Sequence, residues 1–204
     1  MRRLVLGLAL SALVPQAVHA QRRVLAFGLS MGASVATLEA SGIRLDTTST
    51  KFVFVADSVP LPTPWIDRYY LTITPGAGLC KVMGQGWIHE DDSSGTDLRT
   101  SFKTIRLGLE VVSGYGAGER IDLLQDGAQW TAPDQWMMSV NAGERALGEI
   151  WPADSNGRLS SDVHSMLLRV NAVSADAGFL SLSFEGNNFS RCAAELDDRS
   201  NSGL

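Results

Sequence analysis

Beyond the pairs Arg2-Arg3 and Arg22-Arg23 these 204 residues hold no run of lysines and arginines, and the chain is acidic overall, with 17 basic against 22 acidic side chains. A nucleic-acid backbone is held by clustered cations that displace its counterions, so composition excludes a nucleic-acid partner. Past the N-terminus, no apolar stretch reaches the roughly eighteen residues a membrane helix needs, which excludes insertion through a helix. Cysteine is scarce as well. Cys80 and Cys192 are the whole supply, and they lack the C-x-x-C spacing of a thiolate metal site. Beyond His19, only His89 and His164 could serve as an imidazole base. No motif implies a cofactor.

What is present begins with MRRLVLGLALSALVPQAVHA. Arg2 and Arg3 precede an apolar run from Leu4 to Val14, then Pro15 and the small residues Val18 and Ala20. That pattern predicts a signal peptide over residues 1–20, cleaved after Ala20. Its removal leaves 184 residues with 15 basic and 22 acidic side chains, a net of −7. A chain of that size holds one domain over 21–204, or two tightly fused modules over 21–115 and 116–196 with a polar C-terminal tail. No cysteine follows the cleavage region to accept a lipid, so the expectation is ordinary export to the periplasm or medium. In so oxidising a compartment the two lone cysteines are expected to form a Cys80–Cys192 disulfide.

Hydrophobic periodicity gives the elements. Residues 22–29 read as a short strand, 34–41 as a two-turn helix stopped by Gly42, and 51–56 as a strand, before Pro60, Pro62 and Pro64 impose an extended connector. Tyr69, Leu71 and Ile73 alternate with polar or half-polar neighbours, and "PGAG" turns the chain into 79–89, a β-hairpin. Leu98, Phe102, Ile105, Leu109 and Val112 recur at spacings of 4, 3, 4 and 3, the stripe of an amphipathic helix that Thr96 could cap and Gly114 end. A strand over 119–124, a short helix over 133–140 and a strand over 145–151 follow. Met166, Leu168 and Val170 then alternate against Leu180, Leu182 and Phe184 in a second hairpin, and the tail from Asp197 is polar and expected to fray. Strand pairs interrupted by helices, without regular βαβ alternation, predict an α+β fold: antiparallel β-sheet with amphipathic helices packed on one face.

Gly28-Leu29-Ser30-Met31-Gly32 spells G-x-S-x-G, the elbow that carries the nucleophile of α/β-hydrolases. Those enzymes build several strands before the elbow, whereas only nine residues separate Ala20 from Ser30, so that family is excluded. The stretch "VLAFGLSMGAS" also resembles the G-D-S block of lipases and esterases that opens just after the signal peptide. Gly28 and Ser30 are in place, Leu29 stands where that family has Asp, and Asp162-Val163-His164 approximates its late D-x-x-H. That resemblance implies Ser30 as nucleophile and His164 as base. The structural reading is a strand-to-helix turn shaped by Gly28 and Gly32, with Ser30 or Ser34 capping the helix. "MGASVATLEASG" resembles the turn, short helix and glycine stop that open the small two-layer modules of the outer-membrane assembly lipoproteins (the SmpA/OmlA family) and of the β-lactamase-inhibitor protein, with Gly32, Ser34, Leu38 and Gly42 carrying the match. It implies a non-enzymatic binding module of helices against an antiparallel sheet.

The run His89, Glu90, Asp91, Asp92 offers four adjacent ligand types, but successive side chains diverge along an extended chain, so a solvated loop is expected and no metal. Asn188-Phe189-Ser190 fits the glycosylation sequon. Trp130, Trp136, Met137 and Met138 suggest an adaptable apolar binding surface, and against that stands a core role for the same residues. Together these features predict an exported protein with a non-catalytic binding or envelope-accessory role, its partner an envelope protein or a small ligand. The alternative is a secreted serine esterase using Ser30 and His164.

Overall fold

The computed structural model describes residues 26–112, 115–153 and 159–200; the predicted signal peptide lies outside them. Eight strands form one antiparallel sheet: β1 (Leu45–Thr47), β2 (Val53–Ala56), β3 (Ile66–Thr74), β4 (Gly78–Gly86), β5 (Glu119–Leu124), β6 (Arg145–Pro152), β7 (Val163–Ala172) and β8 (Gly178–Gly186). Their spatial order is β1-β2-β3-β4-β8-β7-β6-β5. Each half of the chain therefore runs as a four-strand meander, and the last strands of the two meanders, β4 and β8, pair at the centre with Val82 opposite Phe184.

The alternation predicted for both hairpins is present. Leu71, Val82, Phe184, Met166, Leu168, Leu182, Val170 and Leu180 share one face through cross-strand pairs and are all buried. Helices α1 (Val35–Ala40), α2 (Thr96–Leu107) and α3 (Trp136–Asn141) cover that face, contributing Leu38, Leu98, Phe102, Trp136 and Met137 to one continuous core. A fourth helix, α4 (Phe189–Ser200), lies against the opposite face of β3 and β4, where the Lys81 ammonium sits 5.4 Å from the Phe189 ring centroid. The fold is α+β as expected. Of the polar tail expected to fray from Asp197, residues 197–200 are helical, and 201–204 lie outside the described residues.

Cys80 and Cys192 are joined by a disulfide, both fully buried, with Cα atoms 6.3 Å apart. It fastens α4 to the inner strand β4. Among the described residues no helix is long and apolar enough to cross a membrane.

Two local expectations need correction. Residues 26–29 form a tight turn, closed by the Leu29 amide on the Ala26 carbonyl at 2.9 Å, where a strand over 22–29 was expected. Residues 22–25 lie outside the described residues. The start of α2 is capped by Asp92 and not by Thr96: one carboxylate oxygen accepts the Thr96 amide at 2.7 Å and the other the Leu98 amide at 3.0 Å. This works because Gly95 at φ 63° swings the chain back over Asp92, in a left-handed conformation that a side chain resists. A Cβ on Gly95 would also meet the Trp136 ring at 2.2 Å. Asp92 is thus a buried cap and no part of a solvated acidic loop. Asp92→Ala is expected to lower stability by about 1–2 kcal/mol, the cost of an N-cap, as read by urea unfolding.

Candidate functional site

Beside α2 the core gives way to a cavity of about 590 Å³ between that helix and the outer strands β5 and β6. Its wall is built by three periodicities. On α2, Arg99, Lys103 and Arg106 follow at spacings of 4 and 3, one stripe beside the apolar one. Past Leu107 the helix widens into a π turn over Gly108–Val112 that carries Glu110, the next member of the stripe. On β5, Arg120 and Asp122 point to the same face by strand alternation; on β6, so do Arg145, Leu147 and Glu149. Register places Arg120 directly opposite Glu149 and Asp122 opposite Leu147. Phe102 and Trp136 supply the apolar floor.

The charges are unevenly matched. Arg106 holds Glu110 at 2.5 Å and reaches Glu149 at 3.7 Å, while Arg120 lies 3.9 Å from Glu149 and 3.7 Å from Asp122. Arg99, Lys103 and Arg145 make no ion pair among the described residues. Arginines instead lie over the floor's rings: Arg99 at 5.4 Å and Arg145 at 5.8 Å from the Trp136 ring, and Arg120 at 4.7 Å from that of Phe102. The Nε of Arg145 is buried and has no hydrogen-bond partner among the described residues. Five cations against three carboxylates make this a positive recess in an acidic chain.

Glu149 is the buried charge of the site, 1% exposed, and its Oε1 accepts the Gly118 amide at 3.0 Å. No side chain fits at position 118, where a Cβ would stand 2.8 Å from the Glu149 side chain. Burial raises the Glu149 pKa above the ordinary carboxylate value, and a hydrogen bond with the Glu110 carboxyl and that group's charge raise it further, outweighing the Gly118 amide and the Arg106 guanidinium. In the unfolded chain the group loses its proton at lower pH than in the folded one. Its contribution to stability is therefore complete below the ordinary carboxylate range and is lost as pH rises through the raised value. Glu149→Gln is accordingly expected to gain stability relative to the wild type as pH rises above the ordinary carboxylate range. Denaturant melts across that range read the gap, and a gap independent of pH would contradict the shift.

The residues singled out from sequence fall elsewhere. Ser30 is exposed in the loop before α1, and Ser34 is the helix cap, its Oγ accepting the Thr37 amide at 3.1 Å. The Met31 amide donates to Asp162 at 2.8 Å, which brings the Ser30 loop to the start of β7, where His164 is exposed. No hydrogen bond joins Ser30 to His164 among the described residues. Asp162 is engaged by the Met31 amide and by the Ser160 hydroxyl.

Trp136 and Met137 are core residues, 6% and 0% exposed, because α3 lies flat on β6 and β7 and turns both side chains toward the sheet. They present no apolar surface. Trp130 and Met138 are half-buried. Among the described residues no group of histidine, cysteine and acidic side chains could hold a metal. The sequon's Asn188 nitrogen is bonded to the Ala77 and Leu79 carbonyls.

The sequence reading missed the cavity, although the signal was available. Arg99, Lys103, Arg106 and Glu110 form a charged helical stripe, and Arg120 and Glu149 are charges at core-facing positions of strands. Compared with known proteins, the chain matches no family model, no curated protein and no solved structure.

Proposed function

We propose that this chain is an exported, non-catalytic binding protein whose ligand is a small anion held in the cavity between α2, β5 and β6. One observation carries the reading: Arg99, Lys103 and Arg145 converge on one recess of an acidic chain and find no counter-charge in the chain's described residues. Uncompensated cations repel one another, and an anionic ligand relieves that repulsion. Export is supported by the N-terminal pattern of residues 1–20 and by the buried Cys80–Cys192 bridge, a bond that persists in oxidising compartments. The resemblance to small two-layer binding modules points the same way, since it implies helices laid against an antiparallel sheet.

The esterase alternative draws on the Met31–Asp162 bond, which brings Ser30 and His164 to one end of the sheet. The two readings separate in one experiment. A panel of small anions is screened by thermal shift against the wild type and Lys103→Glu, a change at an exposed position that reverses one charge of the wall. In parallel the wild type is treated with a fluorophosphonate. Anions that stabilise the wild type are expected to lose about tenfold in affinity in the variant, and the serine probe is expected to leave the protein unlabelled. Stoichiometric labelling lost in Ser30→Ala would put the esterase first.

A further inference from the structure

The sheet ends in two edges of unlike build. β1 is three residues long, and its shortness blunts it as a pairing template. β5 runs six residues without a proline or a bulge, and no described strand covers its outer side. It is open above and below as well, since every residue from Glu119 to Leu124 is exposed apart from the half-buried Ile121. Leu123, 62% exposed, is an apolar side chain left in solvent there.

The Gln125 amide donates to the Glu144 carbonyl at 2.8 Å, which fixes the sense of the backbone along this strand. By alternation Glu119, Ile121 and Leu123 turn their N–H and C=O groups toward β6, while Arg120, Asp122 and Leu124 turn theirs outward. Arg120 and Asp122 carry opposite charges on either side of Ile121, and both side chains lie on the cavity face. An antiparallel copy of β5 laid along this edge, with Ile121 on the two-fold axis, sets Arg120 opposite Asp122 and Asp122 opposite Arg120. These are the hydrogen-bonded positions of the new ladder, so backbone bonds and ion pairs form between the same residues. Moving the axis to Arg120 or to Asp122 opposes like charges, so the charges select the register.

We propose that β5 is a homodimer edge, through which two copies of this chain pair antiparallel about Ile121 into one continuous sheet. Each Arg120 then stands between two carboxylates, Glu149 opposite it on β6 and Asp122 of the second copy. On the other face Ile121 meets Ile121, and Leu123 packs diagonally against it. The axis is perpendicular to the sheet, so both cavities open on the same side, and Asp122 of each copy stands at the rim of the other's cavity. An edge of six residues buries little area, so association in the micromolar range is expected.

The test is sedimentation velocity of the full chain, disulfide intact, from about 1 to about 200 µM, beside Asp122→Arg and Asp122→Pro. The wild type is expected to pass from monomer to dimer across that range. Asp122→Arg sets cation against cation at both symmetric pairs and is expected to weaken association at least about tenfold. Asp122→Pro removes an N–H that only a second copy uses, and an edge strand tolerates proline at such a position, so the dimer should be lost with the melting temperature unchanged. The register is read by oxidation of Ile121→Cys, expected to join two copies because opposed residues of a non-hydrogen-bonded pair have Cα atoms about 4.5 Å apart. Glu119→Cys, about 13 Å from its twin in this register, is expected to leave them separate. A wild type that stays monomeric at every concentration overturns the proposal and leaves β5 to a strand of another protein or to solvent. A dimer that survives Asp122→Arg, or that does not cross-link through Ile121→Cys, overturns it too, since the contact then lies elsewhere. Should Asp122→Pro melt early, those two variants decide.

Discussion

Replacing Cys80 and Cys192 together by alanine is expected to lower the free energy of unfolding by about 4–5 kcal/mol, the chain-entropy value for closing a loop of this length. The two residues are 112 positions apart, so the bridge removes a large share of the unfolded chain's freedom. Against a typical total of about 5–15 kcal/mol, that loss is a large share of the whole. Urea unfolding of the double variant beside the oxidised wild type gives the number, and intact mass without reductant should be two hydrogens below the dithiol form. A loss under about 1 kcal/mol would mean that the bridge adds little beyond the packing of α4, through Phe189 and the Asn188 bonds to Ala77 and Leu79.

The second large effect is expected in the core under α2. Phe102→Ala should cost about 3–5 kcal/mol, because the ring is buried in the same cluster as Leu168 and Leu182 and its removal leaves a void that a sheet face cannot close. Trp136→Ala should cost as much. Its ring fills the space against Gly95, where the chain has no side chain to move in as a substitute. Both variants also withdraw the aromatic support of Arg99, Arg120 and Arg145, so anion binding should weaken along with stability. A Trp136→Ala protein that melts with the wild type would return that ring to the surface and revive the tryptophan-methionine face as a docking site.

Much of the sheet was legible because its inner strands obey a strict period of two. Tyr69, Leu71 and Ile73, and later Met166, Leu168 and Val170, could face only one way once the core was on one side. The amphipathic stripe of α2 was equally plain. What escaped were elements whose stability is tertiary. β1 is three residues long, and α4 offers only Phe189, Cys192 and Leu196 at helical spacing, its anchorage coming from a bridge to a residue 112 positions away. The cap of α2 was misplaced by four residues because Asp92 reaches it only through the left-handed turn at Gly95. Trp136 and Met137 were ambiguous for a related reason: a helix of six residues is too short for its pattern to say which side faces in. The cavity went unread because its members come from α2, the π turn, β5 and β6, and their convergence depends on the pairing of Arg120 with Glu149.

The order of the strands also governs how the chain can fold. The two outer meanders are assembled from neighbours in sequence and can zip locally, but the seam between them joins Lys81 to Glu185, 104 residues on, with an ion pair at 2.8 Å. Until β8 has emerged, β4 presents a bare edge and an apolar face to whatever surrounds the nascent chain. The seam is therefore the slow, high-contact-order step of assembly, and the half-built protein is at its most adhesive just before the step is taken. The cysteine pair straddles this seam, so oxidation cannot run ahead of correct pairing without a long-range encounter. Once formed, it locks the last junction to close.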